Sequence, residues 1–194
     1  MPDLKAYILA GGRSQRFGSD KARALADGRP LIARLADAVR GAVAADPVVV
    51  ARRAGGYGDL GLRTIGDVEP DLGPMGGLRT ALADAGGDGP GWVLLLSCDL
   101  VAFQPGWVER LSAGVEPGVQ AVAFRGERVE PLCALYHTSC LPAVLAAIAA
   151  GDRAMHLLLA GIQTCYVPLP PDWPALAHVN TPGELRRALG EAGV

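Results

Sequence analysis

Leu9-Ala10-Gly11-Gly12-Arg13-Ser14-Gln15-Arg16-Phe17-Gly18-Ser19-Asp20-Lys21 is the stretch on which the reading of this chain turns. A short apolar run, Ala6-Tyr7-Ile8-Leu9, leads into it and has the character of a strand. Paired glycines, two arginines, a third glycine and a lysine follow at once. Without a Cβ, glycine lets backbone N–H groups approach an anion closely. Arg13, Arg16 and Lys21 bring positive charge to the same mouth. A strand that opens into such a loop is suited to holding phosphate. Spacing excludes two well-known phosphate loops here: the stretch contains neither Gly-x-x-x-x-Gly-Lys-Ser/Thr nor Gly-x-Gly-x-x-Gly. A glycine pair after a strand would be explained by a tight turn alone, but the whole string is more specific.

Composition sets the frame around this loop. The 194 residues predict one domain, 1–194, large enough for a full core. Half are hydrophobic and a fifth charged, as in ordinary folded chains. A formal net charge of −2 argues against a general binder of nucleic acid or anionic membrane, so any phosphate site is a local concentration of charge. Met1 to Lys5 runs almost directly into the first strand, with no charged region ahead of an apolar stretch, so no signal peptide is expected. The longest apolar run, Cys140 to Ala150, is too short to span a bilayer and contains Pro142. A cytoplasmic protein is therefore expected. The four cysteines, Cys98, Cys133, Cys140 and Cys165, form no Cys-x-x-Cys pair. Cys133, His137 and Cys140 could be imagined as metal ligands, but an apolar strand end leading into a helix explains them better.

Outward from the loop, strands and helices alternate. Asp27-Gly28 signals a turn, and Leu31 to Ala45 carries apolar residues at helical spacing. Val48 to Val50 is a β-branched strand, and Leu62 to Ile65 a weaker one ending at Gly66-Asp67. A second glycine-rich loop, Asp71 to Gly77, leads into a helix over Leu78 to Ala85 that starts at or within it. Trp92 to Leu96 is apolar throughout, as expected of a strand covered on both faces, and it ends in Ser97-Cys98-Asp99. A helix over Pro105 to Ala113 comes next, with proline suited to the first turn. Strands are expected over Gln120 to Phe124 and Leu132 to Tyr136, helices over Leu141 to Ala150 and Ala154 to Leu159, and a strand over Thr164 to Val167. After the proline-rich turn 168–174, Thr181-Pro182-Gly183-Glu184 forms a capping box opening a last helix, Leu185 to Ala192. This order predicts an α/β fold with a mainly parallel sheet. Ligands bind such sheets outside the carboxyl ends of the strands. The opening loop, Asp67 and Asp99 should therefore share one rim.

The opening string resembles the signature of nucleotidyltransferases of the glycosyltransferase-A-like (GT-A-like) type: Leu-Ala-Gly-Gly or Leu-Ala-Ala-Gly, then Arg-x-Gly, then Lys. Within that group the chain is similar to the molybdenum cofactor guanylyltransferase family. The match includes Leu9-Ala10-Gly11-Gly12, Arg16-Phe17-Gly18 where the family usually has Arg-Met-Gly, and Asp20-Lys21. It continues through Gly28-Arg29-Pro30-Leu31, Gly73-Pro74-Met75-Gly76-Gly77, Cys98-Asp99 and Asn180-Thr181-Pro182, over nearly the whole chain and in order.

The resemblance implies a three-layer α/β/α, Rossmann-like fold and a reaction joining the GMP part of GTP to the terminal phosphate of molybdopterin carrying molybdenum, with release of pyrophosphate. It implies that Asp99 holds Mg²⁺, a hard cation that prefers carboxylate oxygen. Lys21 and Arg16 would stabilise the triphosphate and the departing pyrophosphate. The backbone of Leu9, Ala10, Gly11 and Gly12 would hold the nucleotide, with Ala51 and Asp67 near its base or ribose. Gly76, Gly77 and Asn180 would lie on the substrate side. A molybdoenzyme assembly protein is an implied partner. His178 has a structural role in this reading. Arg125 and Arg128 either contact the pterin phosphate or form a solvated hairpin tip.

Ala51 departs from the family, which often has asparagine after the second strand. If that side chain reads guanine, this chain keeps only a backbone contact. Cytidylyltransferase relatives resemble Leu-Ala-Ala-Gly, so the pair Gly11-Gly12 favours GTP. A nucleotidyltransferase acting on a sugar or metabolite phosphate is an alternative, although those are usually longer. A GTP-binding assembly partner without turnover is another. Intact Lys21 and Asp99 argue against a decayed site.

Overall fold

The structure is a computed structural model that describes residues 3–11, 20–43, 45–69 and 71–190. In chain order the strands are β1 (Leu4–Leu9), β2 (Leu25–Ala26), β3 (Arg29–Pro30), β4 (Val48–Ala51), β5 (Thr64–Gly66), β6 (Trp92–Ser97), β7 (Ala121–Arg125), β8 (Val129–His137) and β9 (Thr164–Pro168). The α-helices are α1 (Leu31–Val43), α2 (Pro74–Gly86), α3 (Gly106–Ser112), α4 (Leu141–Ala149), α5 (Met155–Gly161) and α6 (Pro182–Ala188). Seven strands form one sheet in the order β5-β4-β1-β6-β8-β7-β9, and β2 and β3 make a separate two-residue ribbon. Pairings β1–β4, β1–β6, β4–β5 and β7–β9 are parallel, whereas β8 runs antiparallel to both β6 and β7. The carboxyl ends of β5, β4, β1, β6, β7 and β9 therefore share one rim, joined there by the start of β8.

Alternation along the central strands builds a core on each face of the sheet. Leu4, Ala6 and Ile8 of β1, with Leu94 and Leu96 of β6, meet Ile32, Leu35, Ala36 and Val39 of α1 and Trp107, Val108 and Leu111 of α3. Tyr7 of β1, with Val93 and Leu95 of β6, faces Met75, Leu78, Ala81, Leu82 and Ala85 of α2, Val144 of α4 and Leu158 and Leu159 of α5. This is the three-layer arrangement expected, with β6 apolar because both its faces are covered. No helix among the described residues is long and apolar enough to cross a membrane.

Several boundaries differ from the sequence reading for physical reasons. β5 begins at Thr64 because the Leu62 N–H bonds Tyr57 O within a turn, leaving Leu62 as a buried core residue rather than a strand residue. α2 starts at Pro74, so Gly76 and Gly77 lie in its first turn. α6 ends at Ala188 instead of Ala192, and Gly190 follows at a positive φ of 73°. Between Ala123 and Phe124 the β7–β8 register shifts: Ala123 opposes Ala134, but Phe124 opposes Glu130. The bulge falls around Pro131, a residue with no N–H to give the ladder.

Candidate active site

The rim collects the residues picked out from sequence. Leu9, Ala10 and Gly11 stand at the end of β1, Ala51 at the end of β4, Asp67 directly after β5 and Asp99 just beyond β6. Backbone bonds continue past the strand ends and fix these exits: Ala10 N–H to Val50 O (2.9 Å), Asp67 N–H to Ala51 O (2.7 Å) and Cys98 N–H to Leu9 O (3.0 Å). Gly12, Arg13 and Arg16 lie outside the described residues.

The β1–β5 side of the rim is built from small residues. A Cβ on Gly77 would come within 2.7 Å of Leu9 Cδ2, so glycine lets the first turn of α2 press against the last residue of β1. A Cβ on Gly76 would meet Leu72 Cβ at 3.0 Å, Glu69 O at 3.1 Å and Asp67 Oδ2 at 3.3 Å. Both glycines are buried. Asp67 Oδ1 accepts hydrogen bonds from Thr80 Oγ1 (3.1 Å) and Glu69 N–H (3.3 Å), which hold the carboxylate beside α2. Gly11 differs from these: among the described residues a Cβ there meets nothing nearer than Arg52 N at 3.9 Å.

The β6 side is built from charged side chains. Lys21 Nζ donates to Asp99 Oδ2 (2.8 Å), Val179 O (3.1 Å) and Asn180 Oδ1 (3.3 Å), which uses all three ammonium donors. Asp99 Oδ1 accepts from Ser97 Oγ (2.5 Å) and lies 3.0 Å from His178 Nδ1. His178 Nε2 in turn faces Glu130 Oε2 at 3.3 Å. Burial opposes charge on Asp99, but hydrogen bonds from His178, Lys21 and Ser97 outweigh it and hold the carboxyl well below the usual carboxylate range. Burial likewise disfavours charge on His178, and its bonds to Asp99 and Glu130 override that and raise it to about 9. The cluster sets the Lys21 ammonium and the His178 ring against the carboxyl groups of Asp99 and Glu130. The sequence-predicted Lys21, Asp99 and Asn180 are thus brought into one constellation.

A clasp positions Lys21 from its other side. Asp20 caps the short 3-10 turn Lys21–Arg23 by accepting from Ala22 N–H, and its Oδ2 accepts from Tyr57 Oη at 2.8 Å. Arg23 bonds both oxygens of Asp59 at 2.8 Å, with its guanidinium 5.1 Å from the Tyr57 ring centre. The segment after β4, irregular by sequence, therefore braces the base of the opening loop.

Sequence reasoning missed Ser97, Glu130 and the contact role of His178. The signals are weak because the partners lie far apart in the chain. Ser97 and Asp99 are adjacent in one motif, but Glu130 looks like a solvated strand start. His178 looks like part of the approach to the last helix. The proline-rich turn 168–174 also does more than turn: Trp173 stacks on Trp107 (ring centres 4.5 Å apart) and its ring centre lies 6.5 Å from that of His178. Arg125 and Arg128 are exposed at the hairpin on this rim, and the Arg125 guanidinium sits 4.6 Å from the Tyr166 ring centre.

The cysteines take no part in the chemistry of the rim. Burial pushes the Cys98 thiol up to about 12. Cys133 belongs to the core on one face of the sheet and Cys140 to the core on the other, which removes the metal-ligand idea for that pair. Among the described residues no group of three or more His, Cys, Asp or Glu could enclose a metal. The donor chemistry of Asp99 nevertheless fits Mg²⁺. That ion keeps several waters and binds through one or two carboxylates plus substrate phosphates. Asp99 offers Oδ2, whose hydrogen-bond partner here is itself a cation, Lys21.

Phosphate chemistry needs fixed backbone donors and a carboxylate able to hold a cation close beside them. The rim sets Asp99, just beyond β6, beside the end of β1 where the glycine string begins, and the class this defines is an α/β nucleotidyltransferase. Comparison with known proteins narrows the class. A family model described as a MobA-like NTP transferase domain matches residues 6–165, and the chain belongs to that family. It is 41% identical over 169 residues to a probable molybdenum cofactor guanylyltransferase of Deinococcus radiodurans, covering 86% of this chain and 84% of that protein. It is 30% identical over 194 residues to a molybdenum cofactor guanylyltransferase of Serratia proteamaculans, covering 99% and 97%. Among solved structures, molybdopterin-guanine dinucleotide biosynthesis protein A from Archaeoglobus fulgidus superposes with a TM-score of 0.79 at 24% identity, covering 96% of this chain and 97% of that one. A CMP:2-keto-3-deoxy-manno-octonic acid synthetase complexed with CTP superposes at 0.74 with 16% identity, covering 96% and 97%. These likenesses show the GT-A-like nucleotidyltransferase fold.

Proposed function

We propose that the protein transfers the GMP part of GTP to the terminal phosphate of molybdopterin carrying molybdenum, forming the guanine dinucleotide form of the cofactor and releasing pyrophosphate. The observation that carries this reading is the meeting of Lys21, Asp99 and Asn180 beside the strand that opens the glycine loop. Similarity to proteins named molybdenum cofactor guanylyltransferase supplies the substrates.

An oxygen of the acceptor phosphate forms a bond to the α-phosphorus of GTP. The bond from that phosphorus to the oxygen bridging the β-phosphate breaks, and its electron pair leaves on pyrophosphate. The attacking oxygen is already anionic, so no side chain has to remove a proton. Positioning and charge neutralisation then account for catalysis. Asp99 would hold Mg²⁺ through Oδ2. When bound, the ion neutralises phosphate oxygens and polarises the α-phosphorus. Lys21 would turn its ammonium from Asp99 to the triphosphate, joined by Arg16. The backbone from Leu9 to Gly12 would hold the nucleotide, with Ala51 and Asp67 beside its base or ribose. The first turn of α2, with Gly76 and Gly77, starts from Gly73, which has no side chain to cap it, and a helix start favours an anionic substrate. Asn180, and Arg125 and Arg128 on the neighbouring hairpin, would face the pterin. One domain spanning 1–194 would do this in the cytoplasm and hand the product to a molybdoenzyme assembly protein.

The test is to incubate the protein with Mg²⁺, molybdopterin carrying molybdenum and each of GTP, CTP and ATP in turn, following pyrophosphate. Release with GTP is expected. Release with CTP but not GTP would overturn the specificity. Binding of GTP without release would favour a binding protein.

A further inference from the structure

The two oxygens of Asp99 are treated differently by the fold. Oδ1 receives Ser97 Oγ at 2.5 Å and His178 Nδ1 at 3.0 Å, whereas among the described residues Oδ2 accepts only from Lys21, at 2.8 Å. The imidazole does not end there: its far nitrogen points at Glu130 Oε2, 3.3 Å away. The side chains of Asp99, His178 and Glu130 are only 17%, 26% and 24% exposed, so this is no loose surface contact. Each ring nitrogen faces a carboxylate oxygen, and the Ser97 hydroxyl stands 3.3 Å from Nδ1.

Other features hold the ring in this pose. Glu130 enters through the bulge around Pro131, which shifts the start of β8 by three residues against β7. Bulges beside active sites re-aim side chains in this way. Trp173 stands at the ring's side and is fixed by stacking on Trp107, whose Nε1–H donates to Asp172 Oδ1 at 2.9 Å. The Val179 N–H donates to Asp99 O at 3.1 Å, tying the 178–180 segment to the loop after β6.

We propose that His178 and Glu130 are positioning residues for Asp99: His178, braced from behind by Glu130, engages Oδ1 so that Oδ2 alone is presented to a cation. This rests on the reading of Asp99 given under Proposed function. A carboxylate free to rotate would offer either oxygen and spread the bound phosphates over several poses. Misplacement by about 1 Å can lower a rate about 100-fold. Carboxylates that hold metals are commonly oriented by such outer hydrogen bonds. Glu130 thereby acts at a distance, through one ring, on an oxygen it does not touch.

The test uses Glu130→Ala, His178→Asn, His178→Gln and the double variant Glu130→Ala/His178→Asn, each checked for an unchanged circular dichroism spectrum. An asparagine amide takes the place of Nδ1 and keeps the donor to Asp99, while a glutamine amide takes the place of Nε2 and loses it. Expected is a kcat lowered about 10-fold by Glu130→Ala and His178→Asn, and about 100-fold by His178→Gln, with Mg·GTP affinity measured by calorimetry changing less than 3-fold. The double variant should match His178→Asn alone, because Glu130 has no route to Asp99 once the ring is gone. Nitrogen-15 NMR of the ligand-free protein gives a second readout, with His178→Asn assigning the signals. The His178 ring nitrogen signals should move in Glu130→Ala. A Glu130→Ala enzyme as fast as wild type, a full Glu130 effect persisting in the His178→Asn background, or His178 ring signals unmoved in Glu130→Ala would each overturn the proposal. Absence of turnover in wild type would instead overturn the proposed function, and the NMR result would still decide the placement of the ring.

Discussion

The two sides of the rim solve the problem of holding a nucleotide in opposite ways. Across β5, β4 and β1 the surface is made of backbone and small residues: Gly11, Ala51, Gly66, Gly76 and Gly77. Their role is to leave room or to permit close packing, as Gly77 does against Leu9. Across β6 and β8 it is made of charges, each answered by another: Lys21 by Asp99, His178 by Asp99 and Glu130. In the proposed reaction the first side would shape the site and the second would supply its charges. Substitutions on the first should act through sterics and stability, and on the second through chemistry in a fold that survives.

Asp99→Asn should give the largest effect. We expect turnover to fall about 1,000-fold or more, the scale of losing a principal transition-state charge contact, with the circular dichroism spectrum retained. Normal activity in this variant would remove the distinction between the two sides. Gly76→Ala probes the other side. Its Cβ would press on a backbone carbonyl and on Leu72 Cβ, neither a flexible end, so a loss of about 1–3 kcal/mol in stability is expected by denaturant titration. Lost activity should follow the displaced Asp67 loop. An unchanged midpoint would mean that the glycine serves the ligand instead of the packing.

Gly11→Ala sharpens the comparison, since among the described residues nothing lies within 3.9 Å of a Cβ there. The midpoint of unfolding should stay within about 0.5 kcal/mol of wild type while the ratio of GTP to CTP use falls. Altered stability with an unaltered ratio would place Gly11 with the packing glycines. The smallest effect concerns pH. His178 is raised from 6.5 to about 9, so its stabilisation of the ligand-free fold is complete below about pH 6.5 and is lost as pH rises through about 9. The advantage in Tm of wild type over His178→Asn should shrink across that window. Parallel Tm curves would show that the ring is not charged in the fold.

The same contrast explains what could be read from sequence. The parallel half of the sheet was legible because its signals are local: Trp92 to Leu96 is apolar at every position, and the glycine string follows its strand directly. The opening loop with Lys21, Asp67 and Asp99 could be placed together because strand ends on one rim bring them there, and Asn180 entered through the family resemblance. Glu130 and the part played by His178 were not legible, since the cluster is assembled from four distant segments. A three-residue bulge beside Pro131 decides where Glu130 points, and no periodicity announces it. The start of β5 slipped for a similar reason, with Leu62 apolar for the sake of the core while its N–H closes a turn.

One measurement bears most directly on the account. GTP labelled at the α-phosphate is mixed with the protein, Mg²⁺ and molybdopterin carrying molybdenum, and the label is followed for wild type and Asp99→Asn. The account predicts that wild type moves the α-label into a pterin dinucleotide, one for each pyrophosphate released, and that Asp99→Asn moves almost none. Label remaining in GTP with wild type, or equal transfer by both proteins, would contradict it.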